Sequence, residues 1–251
     1  MKYLVLGPGA MGIYAMIGCL KKLNKELRDV QEISGSSAGS ILALFLALGM
    51  SVDKILKISL SLDISEFVKL NIGLFFNKFG FVDTIPIRQK LIEICGCDPT
   101  FRELKKKIHV AAFCLNSSQT EYFSVDTYPD MKVIDAVCMS IAIPLIFECG
   151  KHDSKTYVDG GTAEDIPLLP FIDKKPHEIA CVKIHVVPKY KEDLDNPKQF
   201  LETIITSTLR NRVRYNINIK TYQIDIEHLN IFDFGLSYED KIRLYILGNN
   251  L

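Results

Sequence analysis

VQEISGSSAGSILALFLALGM, residues 30–50, is the stretch on which the reading of this chain turns. Val30–Ser34 has strand character, and Ser40–Met50 is an apolar helix that stops at Gly49. Between them, Gly35-Ser36-Ser37-Ala38-Gly39 spells G-x-S-x-G. A serine on a sharp strand-to-helix turn is held out on a strained backbone, with small neighbours because other backbone passes close by. Ser37 would also stand at a helix N-terminus, where the dipole favours an alkoxide or an oxyanion. A plain turn or helix cap is written in the same small residues, so the segment needs partners elsewhere in the chain.

One candidate lies upstream, in LVLGPGAMGIYA, residues 4–15. Gly7, Gly9 and Gly12 fit G-x-G-x-x-G between a strand, Tyr3–Leu6, and a helix, Ile13–Leu27. Such a loop offers backbone N–H groups to any anion, whether a cofactor's pyrophosphate or a reaction oxyanion. The first choice makes the chain a dinucleotide-dependent reductase, which calls for an acidic residue at the end of the second strand. Glu32 is about the right distance away, but Ile33-Ser34 follows it, so it lies within the strand.

The other candidate lies downstream, in Tyr157-Val158-Asp159-Gly160-Gly161. An Asp at a strand end before two glycines can turn toward a neighbouring site; a simple Asx turn is the plainer reading. A serine nucleophile needs a base. Besides Asp159 there are five histidines, His109, His152, His177, His185 and His228, none in a distinctive setting. The Ser-Asp-His order of α/β-hydrolases can be assembled, yet that fold's elbow follows several strands and Ser37 follows two.

The composition narrows the classes. With 251 residues and 48% hydrophobic content, a sizeable core is available. Lys plus Arg and Asp plus Glu number 30 each, so net charge implies no nucleic-acid partner and no broad attraction to anionic membranes. Seven cysteines, mostly in apolar runs, and a first residue run that reads directly as a strand suggest reduced thiols, no signal peptide and a cytoplasmic location. Cys95-Gly96-Cys97 is too tightly spaced for a C-x-x-C pair, so no metal is expected. The longest apolar run, Ile41–Met50, is too short to cross a bilayer.

Along the chain, helices are expected over 51–69, Ile85–Glu93, Thr100–Lys106, Lys132–Ser140, Lys198–Tyr215 and Ser237–Leu247. Strands are expected at Ile108–Leu115 and Gln119–Ser124 as a hairpin, and at Thr156–Val158, Glu178–Val187 and Ile224–Ile231. The β-α-β alternation predicts one α/β domain over 1–251 with a mostly parallel sheet. Residues 188–198 read as a surface loop. LNIGLFFNKFGF, residues 70–81, reads as core packing, with an apolar lid or lipid contact as the alternative. Lys105–Lys107 and Arg210, Arg212 and Arg214 read as solvated cations rather than as headgroup or phosphate binders.

Taken together and in order, the glycine loop at 7–12, the elbow at 35–39 and the Asp-Gly-Gly at 159–161 resemble the patatin-like phospholipases. Ser140-Ile141-Ala142-Ile143-Pro144-Leu145-Ile146-Phe147 is similar to that family's A-S-x-A-x-P-x-x-F segment, and Thr100–Leu104 to its T-F-x-x-L. Phe232–Ser237 is similar to the tail of related domains, so the likeness covers nearly the whole chain. The resemblance implies a three-layer α/β/α fold around a central, mostly parallel sheet. It implies Ser37 as nucleophile, Asp159 as its base without a histidine, and N–H groups around Gly7, Gly9 and Ala10 as the oxyanion hole. Gly12, Gly35, Gly39, Gly160 and Gly161 complete the motifs. The implied activity is cleavage of lipid acyl esters through an acyl-enzyme, with no cofactor and with transient contact to a lipid surface. Two positions depart from the family's G-G-G-x-R/K-G: Pro8 replaces a glycine and Met11 the cation. Pro8 has no N–H to donate. A weakly active or inactive lipid-binding member is therefore an alternative, beside the reductase.

Overall fold

In the computed structural model, β1 (Tyr3–Leu6) passes through a 3-10 turn into α1 (Ile13–Lys22), then β2 (Glu32–Ser36) and α2 (Ala38–Ala47). The described residues are 1–187, 196, 200, 203–205, 207, 218–227 and 229–251. α3 (Val52–Ser61) and α4 (Ile72–Lys78) lead to β3 (Gly80–Val82) and α5 (Ile85–Cys95). β4 (Lys107–Cys114) and β5 (Gln119–Phe123) form the expected antiparallel hairpin. α6 (Val133–Ser140), β6 (Leu145–Phe147), β7 (Gly150–His152) and β8 (Lys155–Asp159) follow. β9 (Ile179–Val186), β10 (Lys220–Ile226) and α7 (Tyr238–Asn249) complete the series.

The main sheet has the order β10-β9-β1-β2-β4-β8-β7, with β5 also on β4. Five strands, β10 through β4 in that order, run parallel. β5, β7 and β8 add antiparallel pairs. The α/β class with a central, mostly parallel sheet flanked by helices is the one expected. Period-2 alternation on β1 sends Leu4 and Leu6 into the large core with residues of α1, α2 and α6, while Val5 joins Leu168, Phe171 and Cys181 on the other face. Both faces of this short strand are covered, which is why Tyr3–Leu6 reads as a continuous apolar run.

The registers on β4 decide where the site lies. Ala111 pairs with Ser36 on one side and Tyr122 on the other. Ala112 pairs with Asp159 and with Glu121. β2 and β8 therefore follow one another along a single edge of β4, and their C-terminal ends meet. Adjacent rungs along a strand lie about 3.3 Å apart.

Several expectations need correction. The first helix stops at Lys22 rather than Leu27, and Thr100–Lys106 is only a 3-10 turn at Phe101–Glu103, begun by a Thr100/Glu103 capping box. The last strand runs from Lys220 to Ile226 instead of 224–231. The stretch 70–81 is not core. It forms α4 and β3, and no α4 residue is buried, because no element among the described residues covers that face. Lys107 is ion-paired with Asp126 and Glu32. Most of the expected helix at 198–215, most of the loop at 188–198, Arg210, Arg212, Arg214 and His228 fall outside the described residues. No helix among the described residues is long and apolar enough to cross a membrane.

Candidate active site

Ser37 follows β2 directly and begins α2 with φ 53° and ψ −127°. A non-glycine residue there is strained by roughly 1–3 kcal/mol and persists only where its surroundings enforce it. Two sets of hydrogen bonds do so. The Ser37 N–H donates to Ser140 Oγ at 2.9 Å, and the Ser140 hydroxyl donates to the Ala111 carbonyl at 2.6 Å. The Ser37 carbonyl accepts from the Ser40 N–H at 2.9 Å and the Ser40 hydroxyl at 2.7 Å. The flanking glycines are required by close approach. A Cβ on Gly35 would lie 2.6 Å from the Gly39 carbonyl oxygen, and one on Gly39 would lie 2.2 Å from that of Leu6. Thus the G-x-S-x-G spacing allows the elbow to cross itself and α2 to rest on the end of β1.

Asp159 is the last residue of β8 and, like Ser37, is 4% exposed. Its N–H donates to the Ala142 carbonyl at 2.8 Å, and its Oδ1 accepts the Gly161 N–H at 2.7 Å. The plain Asx-turn reading of Asp-Gly-Gly is therefore correct, and it orients a buried carboxylate at the end of β2. A Cβ on Gly161 would lie 2.7 Å from Pro8 Cβ, so this turn also touches the glycine loop. Pro8, one of the two departures from the family pattern, fills that contact.

The loop's amides are divided. The Gly7 N–H donates to the Val182 carbonyl at 2.9 Å, the Met11 N–H to Ile231 at 2.9 Å and the Gly12 N–H to Gly9 at 2.7 Å. Gly7 is therefore not available as an oxyanion donor, contrary to expectation: the β1–β9 ladder takes its hydrogen. Among the described residues, the Gly9 and Ala10 amides make no hydrogen bond. Ala10, at φ 42°, begins the 3-10 turn.

Ser37, Ala38 and Ala10 line one end of a cleft of about 950 Å³, counted with its open mouth. Its walls are apolar, with Phe45, Phe67, Ile143, Phe147 and Met11 among them. Lys90 is the one charged side chain among the described residues that line it. The missing cation of the loop is thus a buried apolar residue in the wall.

Of the described histidines, none lines the cleft. His109 is buried, contacts Glu32 at 3.1 Å and stands edge-on to Phe171. Burial pushes its imidazole below the ordinary value, against the pull of Glu32. His185 contacts Asp225, and His152 contacts Asp153. Glu32 begins β2 and is held by His109 and Lys107, at the far end of that strand from the loop a ribose would need it to face.

Ser140 was missed as a site residue. It lies in the segment 140–147 that contributes to the family resemblance, but no local pattern assigns it a partner 103 positions away. Chemically, the site brings together a hydroxyl on a strained elbow, a buried carboxylate on the neighbouring rung and two open amides, beside an apolar cleft.

The chain has similar counterparts among known proteins. The chain is 31% identical over 185 residues to an uncharacterized protein, R571, of Acanthamoeba polyphaga mimivirus, covering 68% of this chain and 62% of that one. It is 26% identical over 259 residues to a probable lipid hydrolase, 463L, of Invertebrate iridescent virus 6, covering 97% and 88%. Among solved structures, VipD from Legionella pneumophila superposes with a TM-score of 0.69 at 18% identity, over 99% of this chain and 65% of that one, which shows a shared fold. The chain thus spans under two thirds of the length of R571 and of VipD. Residues 4–172, which hold the glycine loop, the elbow and the Asp-Gly-Gly, match the patatin-like phospholipase family, and the chain belongs to it.

Proposed function

We propose that this protein hydrolyses acyl esters of lipids, with Ser37 as nucleophile and Asp159 as general base. The observation that carries this reading is the position of Ser37, on a strained elbow that lines an apolar cleft of the kind that takes an acyl chain. Membership of the patatin-like phospholipase family and the likeness to a probable lipid hydrolase support it.

In this mechanism the acyl chain lies in the cleft and its ester carbonyl stands over Ser37. Asp159 takes the hydroxyl proton as Ser37 Oγ bonds to the carbonyl carbon. The negative charge that develops on the carbonyl oxygen meets the Gly9 and Ala10 amides, and the Ala38 amide at the N-terminus of α2. One such donor is worth about 10²–10³ in rate. The tetrahedral intermediate collapses, the ester C–O bond breaks, and Asp159 returns the proton to the departing alcohol. Water then attacks the acyl-enzyme by the same sequence and releases the fatty acid. A carboxylate serves best as base when withdrawn from water, and Asp159 is buried. With Pro8 and Met11 in the loop, no loop cation is present to hold a phosphate, so neutral acyl esters fit the site better than charged headgroups.

Turnover of a short-chain nitrophenyl ester tests the reading. Ser37→Ala and Asp159→Asn should each lower kcat by at least ~10³-fold while the fold is kept. Most activity surviving in Asp159→Asn would remove the dyad and point to a histidine base. Labelling by a fluorophosphonate that is unaffected by Ser37→Ala would remove the nucleophile.

A further inference from the structure

Residues 67–81 have two sides. Phe67 and Val68 line the cleft. A few residues on, Leu70 is 76% exposed, Ile72 73%, Phe76 77% and Phe79 52%. Scattered single apolar residues on a surface need no explanation, but four large ones within ten positions do.

The segment is not loose. Phe75 stacks on Phe81 at 5.0 Å, and the Asn71 N–H donates to the Phe81 carbonyl at 2.6 Å. Lys78 Nζ meets the Glu148 carboxylate at 2.5 Å, and that carboxylate also accepts from the Thr84 amide and hydroxyl at 3.1 and 2.7 Å. The lobe is pinned at its base and apolar at its tip. Phe79 ends α4 at φ 60°, where glycine is the ordinary residue. A Phe there is strained, and it is 52% exposed. Charge along 65–83 balances, Glu66 and Asp83 against Lys69 and Lys78, so nothing in the lobe selects an anionic surface.

We propose that the α4 lobe, residues 70–79, inserts into the surface of an electrically neutral lipid aggregate and sets the cleft mouth against it. The exposed face begins two residues beyond Val68, which lines the cleft, and this argues for lipid over a protein partner: a chain leaving the aggregate has a short path to the cleft. The inference rests on the reading of the cleft as an acyl-chain site, but insertion is measurable without turnover.

The chain contains no tryptophan, so Phe76→Trp is a lone reporter. In a Ser37→Ala background, phosphatidylcholine vesicles should shift its emission to the blue, and brominated acyl chains should quench it. Neither effect should depend on added anionic lipid or on salt. Leu70→Ser/Phe76→Ser should lower vesicle co-sedimentation by at least about tenfold, since each apolar side chain contributes to partition. Its circular dichroism and melting midpoint should match the parent. Emission unmoved by vesicles, or binding that follows anionic lipid and falls with salt, overturns the proposal; a protein partner for the lobe belongs to the first of these results. Vesicle binding without ester turnover in the parent chain would keep the lobe and remove the dyad. Ester turnover without vesicle binding would do the reverse.

Discussion

The elbow and the α4 lobe invert the usual rule of burial in opposite directions. Around the elbow, Ser36, Ser37, Ser140 and Asp159 are polar and buried. On the lobe, Leu70, Ile72, Phe76 and Phe79 are large, apolar and exposed. Buried polar groups need partners, and Ser37 and Ser140 find theirs in a chain of contacts from Ser37 to Ser140 to Ala111. Each of these groups is placed by the next, so a change at one is felt at the others. The lobe has fewer such obligations, so substitutions at its exposed side chains should alter what the protein touches and not how it folds.

Four substitutions would break or sharpen this contrast, in falling order of effect. Gly39→Ala puts a Cβ 2.2 Å from the Leu6 carbonyl oxygen and 2.7 Å from that of Gly7, both backbone atoms. A loss of about 4 kcal/mol is expected. At this chain length that lowers the melting midpoint by roughly 10 °C. An unchanged midpoint in differential scanning fluorimetry would mean that α2 does not rest on β1.

Ser140→Ala leaves the Ser37 N–H and the Ala111 carbonyl without their shared partner, at a cost of about 1–3 kcal/mol. Because the bond holds the strained elbow and not the substrate, kcat should fall by about ten- to a hundredfold with KM nearly unchanged. Steady-state kinetics in which KM alone rises would make Ser140 part of substrate binding instead.

Met11→Arg tests the most atypical residue of the glycine loop. Met11 is buried in the cleft wall, so a guanidinium there is desolvated and costs about 2 kcal/mol or more. Turnover of neutral acyl esters should drop, and any gain should be confined to phosphate-bearing lipids. A lipid panel in which neutral esters are cleaved faster by the variant would contradict the assignment of this wall to the acyl chain. Phe76→Ser is the mildest of the four. It should leave chemical denaturation within about 0.5 kcal/mol of the parent, and a larger loss would mean that the lobe is covered after all.

Much of this was legible in the sequence, and the misses have physical causes. The elbow, the glycine loop and the Asp-Gly-Gly are short motifs whose glycines are needed within the motif or beside it, so their spacing is visible in one dimension. The β-α-β alternation likewise reports the sheet, because hydrophobic period is a local property. Helix ends were less clear. α1 stops at Lys22 although apolar spacing continues to Leu27, because a 3-10 turn takes over at Glu26–Asp29. The misreading of 70–81 as core was of another kind. Apolar composition indicates burial only if some other surface is there to cover it, and no spacing rule reports that.

The sequence by itself determined the α/β class, the three motifs and the residue types available for chemistry, since each depends on backbone conformation over a few neighbours. The tertiary structure alone decided which groups remain free to act. Val182 takes the Gly7 hydrogen, Ile231 takes that of Met11 and Ser140 takes that of Ser37, and among the described residues the Gly9 and Ala10 amides are left open. β2 and β8 were brought end to end on β4, which set Ser37 beside Asp159. These outcomes come from hydrogen-bond partners and strand registers far apart in the chain, and a donor already engaged looks the same in sequence as one that is free.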